Sequence, residues 1–155
     1  MKTETELIVE TENFFMLYWK DTFGQTPHWS KRWDFKNSIL NHEKKGCYAL
    51  INKENEIIYI GVAIGKNFGK YKQIKGNYGG GLGARLKAYW QVDKRPEKEN
   101  KYTPSSKWEE KGMKDIRTIG FEDEHYCLAA ALEIFLIDKL KPIRNSKHAI
   151  KNIDA

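Results

Sequence analysis

Runs of apolar residues separated by polar breaks predict the strands of one sheet. Cys47 to Ile51 and Ile57 to Val62 flank the polar stretch 52–56, a pattern typical of a β-hairpin. In these runs the residues at both odd and even positions are apolar, so both strands are expected to be covered on both faces. The alternation in 113–121 predicts a third strand.

Helical patterns surround these strands. Residues 11–21, with Thr11 as the candidate N-cap, 82–92 and 123–140 are predicted helices, and 106–112 resembles a single turn with a Ser106/Glu109 capping box. The order of elements predicts an α/β (α+β) layered domain on a small, mainly antiparallel sheet.

Each hairpin strand carries one tyrosine, Tyr48 or Tyr59. A connecting loop with an even number of residues would place both on one face as near diagonal neighbours, whereas an odd loop would separate them. Tyrosine is common in strands, so the hairpin alone favours a packing role over a site.

The first 45 residues are rich in aromatic side chains and hold eight of the chain's twenty. Trp29 and Trp33 are four residues apart and flank Lys31 and Arg32, so they are expected to share a helical face beside two cations. Packing over one side of the sheet is favoured over a specific role in reading DNA.

The positive charge of the chain belongs to one segment. The formal net charge is +6, and the interval between Glu56 and Asp93 has no acidic residue. That interval contains six basic residues: Lys66, Lys70, Lys72, Lys75, Arg85 and Lys87. The remaining basic residues equal the acidic residues in number. The excess charge therefore indicates a local surface for a polyanion.

Seven glycines follow Gly61 by position 83, mixed with lysines and aromatic residues, and predict a mobile loop. The segment does not fit a Walker P-loop, because Gly61 to Lys66 is one residue short and Asn67 replaces the required Ser or Thr. A basic loop with interleaved aromatics is suited to following a phosphate backbone. A solvated charged loop is the competing interpretation, although such loops usually carry both signs.

Cysteine and histidine usage predicts neither a disulfide nor a zinc site. Cys47 and Cys127 lie inside predicted elements with no CxxC pair, and we interpret them as buried free thiols in a reducing, cytoplasmic compartment. The four histidines are scattered. The amino terminus lacks the pattern of a signal peptide, and Glu133 interrupts the longest apolar run, so we expect no membrane partner.

Glu133 is the single polar residue in the apolar stretch 128–137. No cation lies three or four residues away on the helix, and an unpaired buried carboxylate is costly or becomes protonated. One interpretation is a long-range ion pair with Arg117 or Arg144, or exposure on a wetter face. The other is a carboxylate kept to hold a divalent cation.

Together these residues resemble the GIY-YIG nuclease superfamily. Gly46-Cys47-Tyr48 resembles the first tripeptide, with Cys in place of Ile, and Tyr59-Ile60-Gly61 matches the second fully, ten residues later. The family's remaining positions are matched in order along the chain by Arg85, Tyr89, Glu133 and Asn145. The resemblance covers about residues 46–145.

The resemblance implies a three-stranded antiparallel sheet flanked by helices and a metal-dependent DNA endonuclease that leaves 5′-phosphate and 3′-hydroxyl ends. It implies one Mg²⁺ or Mn²⁺ per active site, held by Glu133. Tyr48 would be the general base, Arg85 would stabilise charge on the transition state, Tyr59 would line the site with Tyr89, and Asn145 would hold the constellation in place. A phenol with a free pKa of about 10 is a poor base, but Arg85 and a dication would favour phenolate.

The basic segment supplies candidate DNA contacts at Lys66, Lys70, Lys72, Lys75 and Lys87. For Lys66, a contact with the DNA backbone is favoured over orienting the attacking water. The interval from Gly61 to Arg85 is longer than in the simplest family members and resembles the inserted loops of family restriction endonucleases.

We divide the chain into an aromatic-rich N-terminal extension, 1–45, a nuclease-like domain, 46–145, and a C-terminal tail, 146–155. DNA targeting would come from the extension, the basic loop or an oligomer. A homodimer is an open alternative, because two cuts by one site need two protomers or sequential nicking.

Two rival classes remain. A non-catalytic nucleic-acid-binding module on the same fold would bind DNA without cutting it. A phosphate-binding or protein-interaction domain with a basic face would explain the charge but not Glu133.

Overall fold

A computed structural model describes residues 2–65, 81–93 and 101–145, and these form a mixed α/β structure around a three-stranded antiparallel sheet. Its helices and strands are, in chain order, α1 (Glu4–Tyr18), β1 (Lys45–Asn52), β2 (Ile57–Ala63), α2 (Leu82–Leu86), β3 (Trp90–Val92), β4 (Tyr102–Pro104), α3 (Ser106–Glu110), β5 (Met113–Phe121) and α4 (Tyr126–Leu140). Short 3₁₀ turns occupy Asp21–Phe23, Lys87–Tyr89 and Asp123–His125.

The sheet has the order β2-β1-β5, with β1 paired antiparallel to both neighbours. The hairpin and the third strand are therefore confirmed, and so is the α+β class with helices flanking a small antiparallel sheet. Residues 46–51 of β1 are all buried because both faces are covered. Cys47, Ala49 and Ile51 face one core cluster, whereas Tyr48 and Leu50 face the other.

Helices α1 and α4 pack together on the first of these faces, where Leu7 and Phe14 meet Leu132 and Leu136. The prediction that Thr11 caps the first helix is wrong. Thr3 caps it instead, through a capping box with Glu6, and the helix ends at Tyr18.

The segment after α1 is extended, so the predicted helical face shared by Trp29 and Trp33 is wrong. Ser30 donates a backbone hydrogen bond to Thr118 at 2.7 Å, and Trp33 donates one to Ile116 at 3.0 Å, so the segment runs along β5. Trp29 joins the first core cluster and Trp33 the second. Pairing with β5 outweighs the local i, i+4 pattern here.

The second face is covered by α2 and by the β3-β4 hairpin that follows it. The predicted helix 82–92 is too long: it ends at Leu86, and a 3₁₀ turn leads into β3 at Trp90. Leu82, Leu86 and Tyr89 are buried in the second core cluster. The turn 106–112 does form a short helix, but its N-cap is Ser105, without the predicted capping box.

The last helix begins at Tyr126, after a 3₁₀ turn that opens at Asp123, and ends at Leu140. Cys47 is buried, but Cys127 is exposed, which corrects its predicted burial; it lies on the solvent face of α4 that also includes Ile134. None of the helices within the described ranges has the length and apolar character needed to cross a bilayer. The tail 146–155 lies outside those ranges.

Candidate active site

The hairpin places its two tyrosines on one face of the sheet. Tyr48 lies opposite Gly61 and Leu50 lies opposite Tyr59, so the tyrosines are diagonal neighbours with ring centroids 6.1 Å apart. The strands leave four residues, 53–56, between them, which is the even-numbered case. A Cβ at Gly61 would overlap the Tyr48 ring and its hydroxyl, so this position must be glycine for the ring to lie against β2.

Helix α2 carries Arg85 to the same tyrosines. Its start approaches the chain before β1 closely, because Leu82 donates a backbone hydrogen bond to Lys44 at 2.9 Å, and a Cβ at Gly81 would lie 2.8 Å from the His42 carbonyl oxygen. Leu82 and Leu86 anchor the helix in the core and leave Arg85 on the exposed side.

Four of the predicted site residues lie together, and we refer to Tyr48, Tyr59 and Tyr89 as the tyrosine cluster. The hydroxyls of Tyr48 and Tyr89 are hydrogen-bonded at 2.8 Å in a buried position, and their ring centroids are 5.3 Å apart. Arg85 lies close enough to the tyrosines to interact with them electrostatically. Tyr48 and Tyr89 are buried, Tyr59 is half-buried and Arg85 is exposed.

Burial holds Tyr48 in its neutral form. It raises the pKa of Tyr48 well above the usual value, and Tyr89 raises it further, while the Arg85 guanidinium acts in the opposite direction. The pKa of Tyr89 is also raised, chiefly by burial. In this structure the expected phenolate at Tyr48 is therefore disfavoured, because the effect of Arg85 is smaller than that of burial.

Glu133 lies on α4, which packs on the other face of the sheet, and its carboxyl is in electrostatic range of Arg85. Burial raises the pKa of the Glu133 carboxyl, and the charge of Arg85 partly offsets that effect. Neither cation considered as an ion-pair partner serves it: Arg117 pairs with Glu4 at 3.0 Å, and Arg144 donates to the Lys111 carbonyl oxygen at 2.9 Å. Glu133 also raises the pKa of the buried Cys47 thiol, although burial is the larger cause there.

Asn145 fixes the outer strand of the hairpin. Its side chain is buried, accepts a hydrogen bond from Ile60 N–H at 2.8 Å and donates one to the Ile60 carbonyl oxygen at 2.9 Å. Asn145 therefore holds the backbone of Ile60, the middle residue of Tyr59-Ile60-Gly61, in place.

Sequence reasoning missed Trp108, which lies directly beside the site. Its ring centroid is 5.7 Å from that of Tyr59 and 4.8 Å from that of Tyr89, and the Lys111 ammonium lies 4.3 Å from its ring centroid. Trp108 follows a polar, proline-containing stretch and matches no motif. The signal in the sequence that could have identified Trp108 is its position as the single apolar residue of a short polar helix.

Of the five lysines predicted to contact DNA, the structure describes one. Lys87 is exposed on the turn after α2, two residues beyond Arg85. The other four, Lys66, Lys70, Lys72 and Lys75, lie outside the described residues, as do residues 66–80 of the segment predicted to be a mobile loop. The two ends of that segment are regular, because β2 continues to Ala63 and α2 begins at Leu82.

The site presents one carboxylate to a metal ion. Among the described residues, no group of three or more His, Cys, Asp or Glu side chains is placed to hold one. Mg²⁺ retains several waters and is commonly held by one or two carboxylates together with substrate phosphates. Glu133, half-buried and with its pKa raised, fits such a ligand, because a cation would stabilise its charged form.

Comparison of the chain with protein-family models, curated proteins and solved structures finds no match in any of the three.

Proposed function

We propose that this chain is a GIY-YIG-type DNA endonuclease that hydrolyses phosphodiester bonds with the help of a divalent metal ion. The observation that carries the proposal is the convergence of five side chains: Tyr48 is hydrogen-bonded to Tyr89 and lies beside Tyr59, Arg85 is in electrostatic range of these tyrosines, and Glu133 is in electrostatic range of Arg85. These residues come from two strands, two helices and the 3₁₀ turn after α2, and the resemblance selects the same five together with Asn145.

Arg85 is the group best suited to bind the scissile phosphate. It is exposed, always charged, and presents a fork of donors that matches phosphate oxygens. Its place on α2 puts it in electrostatic range of Tyr48 and the other two tyrosines. As charge grows on the phosphate oxygens in the transition state, this guanidinium stabilises it.

Glu133 would hold one Mg²⁺ or Mn²⁺. When bound, such an ion supplies charge stabilisation to the phosphate and the leaving oxygen. Asn145 contributes by holding the Ile60 backbone, and thereby Tyr59, in place.

A neutral phenol is not a base, so Tyr48 would take the proton that water loses only after it has given up its own hydroxyl proton and become a phenolate. Burial opposes that step, and of the described groups around Tyr48, Arg85 is the one that lowers its pKa. Activation of Tyr48 as a base therefore depends on this guanidinium and on the charge of a bound dication.

A single substitution tests the proposal. Glu133→Gln keeps the shape of the side chain and removes its charge, so we expect metal-dependent cleavage of supercoiled and branched DNA to fall by at least about 100-fold. Glu124→Gln, at a highly exposed carboxylate before α4, is the matched control and keeps full activity. Equal cleavage by both variants would exclude Glu133 as the metal ligand.

A non-catalytic DNA-binding module is the second candidate, and the complete burial of Tyr48 favours it. A module of this kind binds DNA in EDTA with a strong dependence on salt and cuts no substrate with Mg²⁺ or Mn²⁺. Metal-dependent cleavage that disappears in Glu133→Gln excludes it.

A further inference from the structure

Beside the hydrolytic residues, α3 and the segment after α4 bring together an aromatic ring and two cations. The Arg144 guanidinium donates to the carbonyl oxygen of Lys111, whose ammonium lies over the Trp108 ring. We refer to Trp108, Lys111 and Arg144 as the Trp108 cluster. None of the three belongs to the proposed catalytic set.

The indole of Trp108 is half-buried. Its N–H has no acceptor among the described residues, and its nitrogen is not one of the buried atoms left without a partner, so water reaches it. The edge of the Trp108 ring is therefore accessible from solvent, in contrast to Trp33, which is buried.

The two cations of the cluster are not neutralised. Neither Lys111 nor Arg144 forms an ion pair with a carboxylate of the described residues. The Arg144 Nε atom is buried without a hydrogen-bond partner there. Two positive charges beside an aromatic ring form a surface that attracts a nucleic-acid strand.

The cluster is joined to the candidate active site through β2. Trp108 packs on Tyr59, and Asn145, the neighbour of Arg144, is hydrogen-bonded to both backbone groups of Ile60. Trp108 also packs on Tyr89, whose hydroxyl is hydrogen-bonded to Tyr48, so its ring lies beside the tyrosines that Arg85 adjoins.

We propose that the Trp108 cluster is a subsite for an unpaired nucleotide next to the scissile phosphate; this inference rests on the proposed nuclease function. The base stacks on the indole face that the Lys111 ammonium covers in this structure. Because the lysine stem is flexible, the ammonium moves from the ring to a phosphate of the same strand. Bases in an intact duplex are already stacked, so the preferred substrate is DNA with unpaired nucleotides at the cut: a flap, a branch or a single strand.

Binding without metal tests the subsite independently of catalysis. Fluorescence anisotropy in EDTA would compare a labelled single strand with the duplex of the same sequence, using the full chain. We expect Trp108→Leu to weaken single-strand binding by about tenfold and duplex binding by less than about twofold. Trp108→Phe retains a stacking ring and should restore most of the affinity.

A second pair of variants covers the case in which Trp108→Leu does not fold. Lys111→Ala should weaken single-strand binding about threefold, while Lys107→Ala, at an exposed lysine on the same helix, should have no effect. The subsite is overturned if folded Trp108→Leu or Lys111→Ala binds both DNAs as the native chain does, or weakens both equally.

The outcomes separate the subsite from the nuclease. If the native chain, Trp108→Phe and Trp108→Leu all cleave flap DNA and duplex DNA at the same rate, the nuclease proposal stands and the subsite is overturned. Selective loss of single-strand binding in Trp108→Leu, with no cleavage of any substrate, would leave a single-strand-binding subsite on a non-catalytic module.

Discussion

At the scale of single residues, Gly61 decides where Tyr48 lies. The ring of Tyr48 occupies the space that a side chain at Gly61 would need. Overpacking of this kind in a core costs about 1–3 kcal/mol. The glycine therefore belongs to the site, although it has no functional group.

Gly61→Ala should lower the free energy of unfolding by about 2 kcal/mol, measured by urea titration. In a Tyr48→Leu background the same substitution should cost much less, because the ring that it meets is absent. Gly24→Ala is the control: nothing lies within 4 Å of its Cβ position, so it should have the same cost in both backgrounds. Additive effects of Gly61→Ala and Tyr48→Leu would contradict this packing.

Tyr48 also gives stability a dependence on alkaline pH. The pKa of Tyr48 is raised in the folded chain, so its contribution is fully present below the unfolded value of about 10 and is lost as pH rises toward the folded value. Between pH 9 and 11 we expect Tyr48→Phe to lose about 1 kcal/mol less stability than the native chain.

Chemical unfolding at several pH values measures this difference. Tyr18→Phe, at an exposed tyrosine of α1, is the matched control and should follow the native chain. If Tyr48→Phe followed it too, Tyr48 would not be held neutral by burial.

At the scale of elements, strand β2 depends on a side chain 85 residues away in sequence. Asn145 satisfies both backbone groups of Ile60, and a buried donor or acceptor left without a partner costs about 1–3 kcal/mol. The strand and the segment after α4 are thus one unit, although they are distant along the chain.

Asn145→Ala should lower the free energy of unfolding by about 2–3 kcal/mol and speed hydrogen exchange at Ile60. Asn145→Asp should restore only part of this loss, because a carboxylate accepts from the Ile60 N–H but has no donor for its carbonyl oxygen. Equal stability of the Asp variant and the native chain would show that the second hydrogen bond contributes nothing.

The elements differ in how well sequence predicted them. The three strands of the main sheet were predicted nearly to the residue, because their apolar runs stand between clear polar breaks. The short strands β3 and β4 were not predicted, and β3 was assigned to the helix 82–92. The predicted start of the first helix was too far along the chain, because Thr11 was mistaken for its N-cap. Thr11 lies inside the helix, where its hydroxyl donates a hydrogen bond to the Leu7 carbonyl oxygen and accepts one from the Trp29 indole N–H. The extended course of 29–33 depends on pairing with β5, a contact that no local pattern encodes.

The residues of the candidate site were selected in a different way, by resemblance to a family. Of these, Tyr48 and Tyr89 are hydrogen-bonded, Arg85 lies in electrostatic range of both, and Glu133 lies in electrostatic range of Arg85. Their role as a catalytic site stays a prediction. Burial and its effect on pKa could not be predicted in this way, because both depend on which groups close over the tyrosines. Trp108 was missed for the same reason, since its position depends on how α3 folds back on the sheet.

At the scale of the whole molecule, the uneven distribution of charge predicts how DNA binding responds to salt. Changing Lys66, Lys70, Lys72 and Lys75 to Gln together should reduce the slope of log affinity against log salt by about two to four, since each phosphate contact contributes roughly 0.9. Anisotropy titrations over a range of salt measure the slope.

A variant with four lysines changed elsewhere, Lys2, Lys31, Lys107 and Lys139, has the same net charge and is the control. A similar slope in the two variants would mean that net charge alone drives binding, and that the basic segment is not the DNA-contacting surface.

The bonds of Asn145 have one more consequence, which concerns other copies of the chain. An open strand edge is a template for pairing with another molecule and so for aggregation. In this protein Ile57 donates to Lys2 and Ile60 is held by Asn145 on the β2 side, while Ser30 and Trp33 bond to β5 on the other. Both margins of the sheet are thus protected by the chain's own segments, and loss of Asn145 would remove a safeguard against self-association as well as a support of the site.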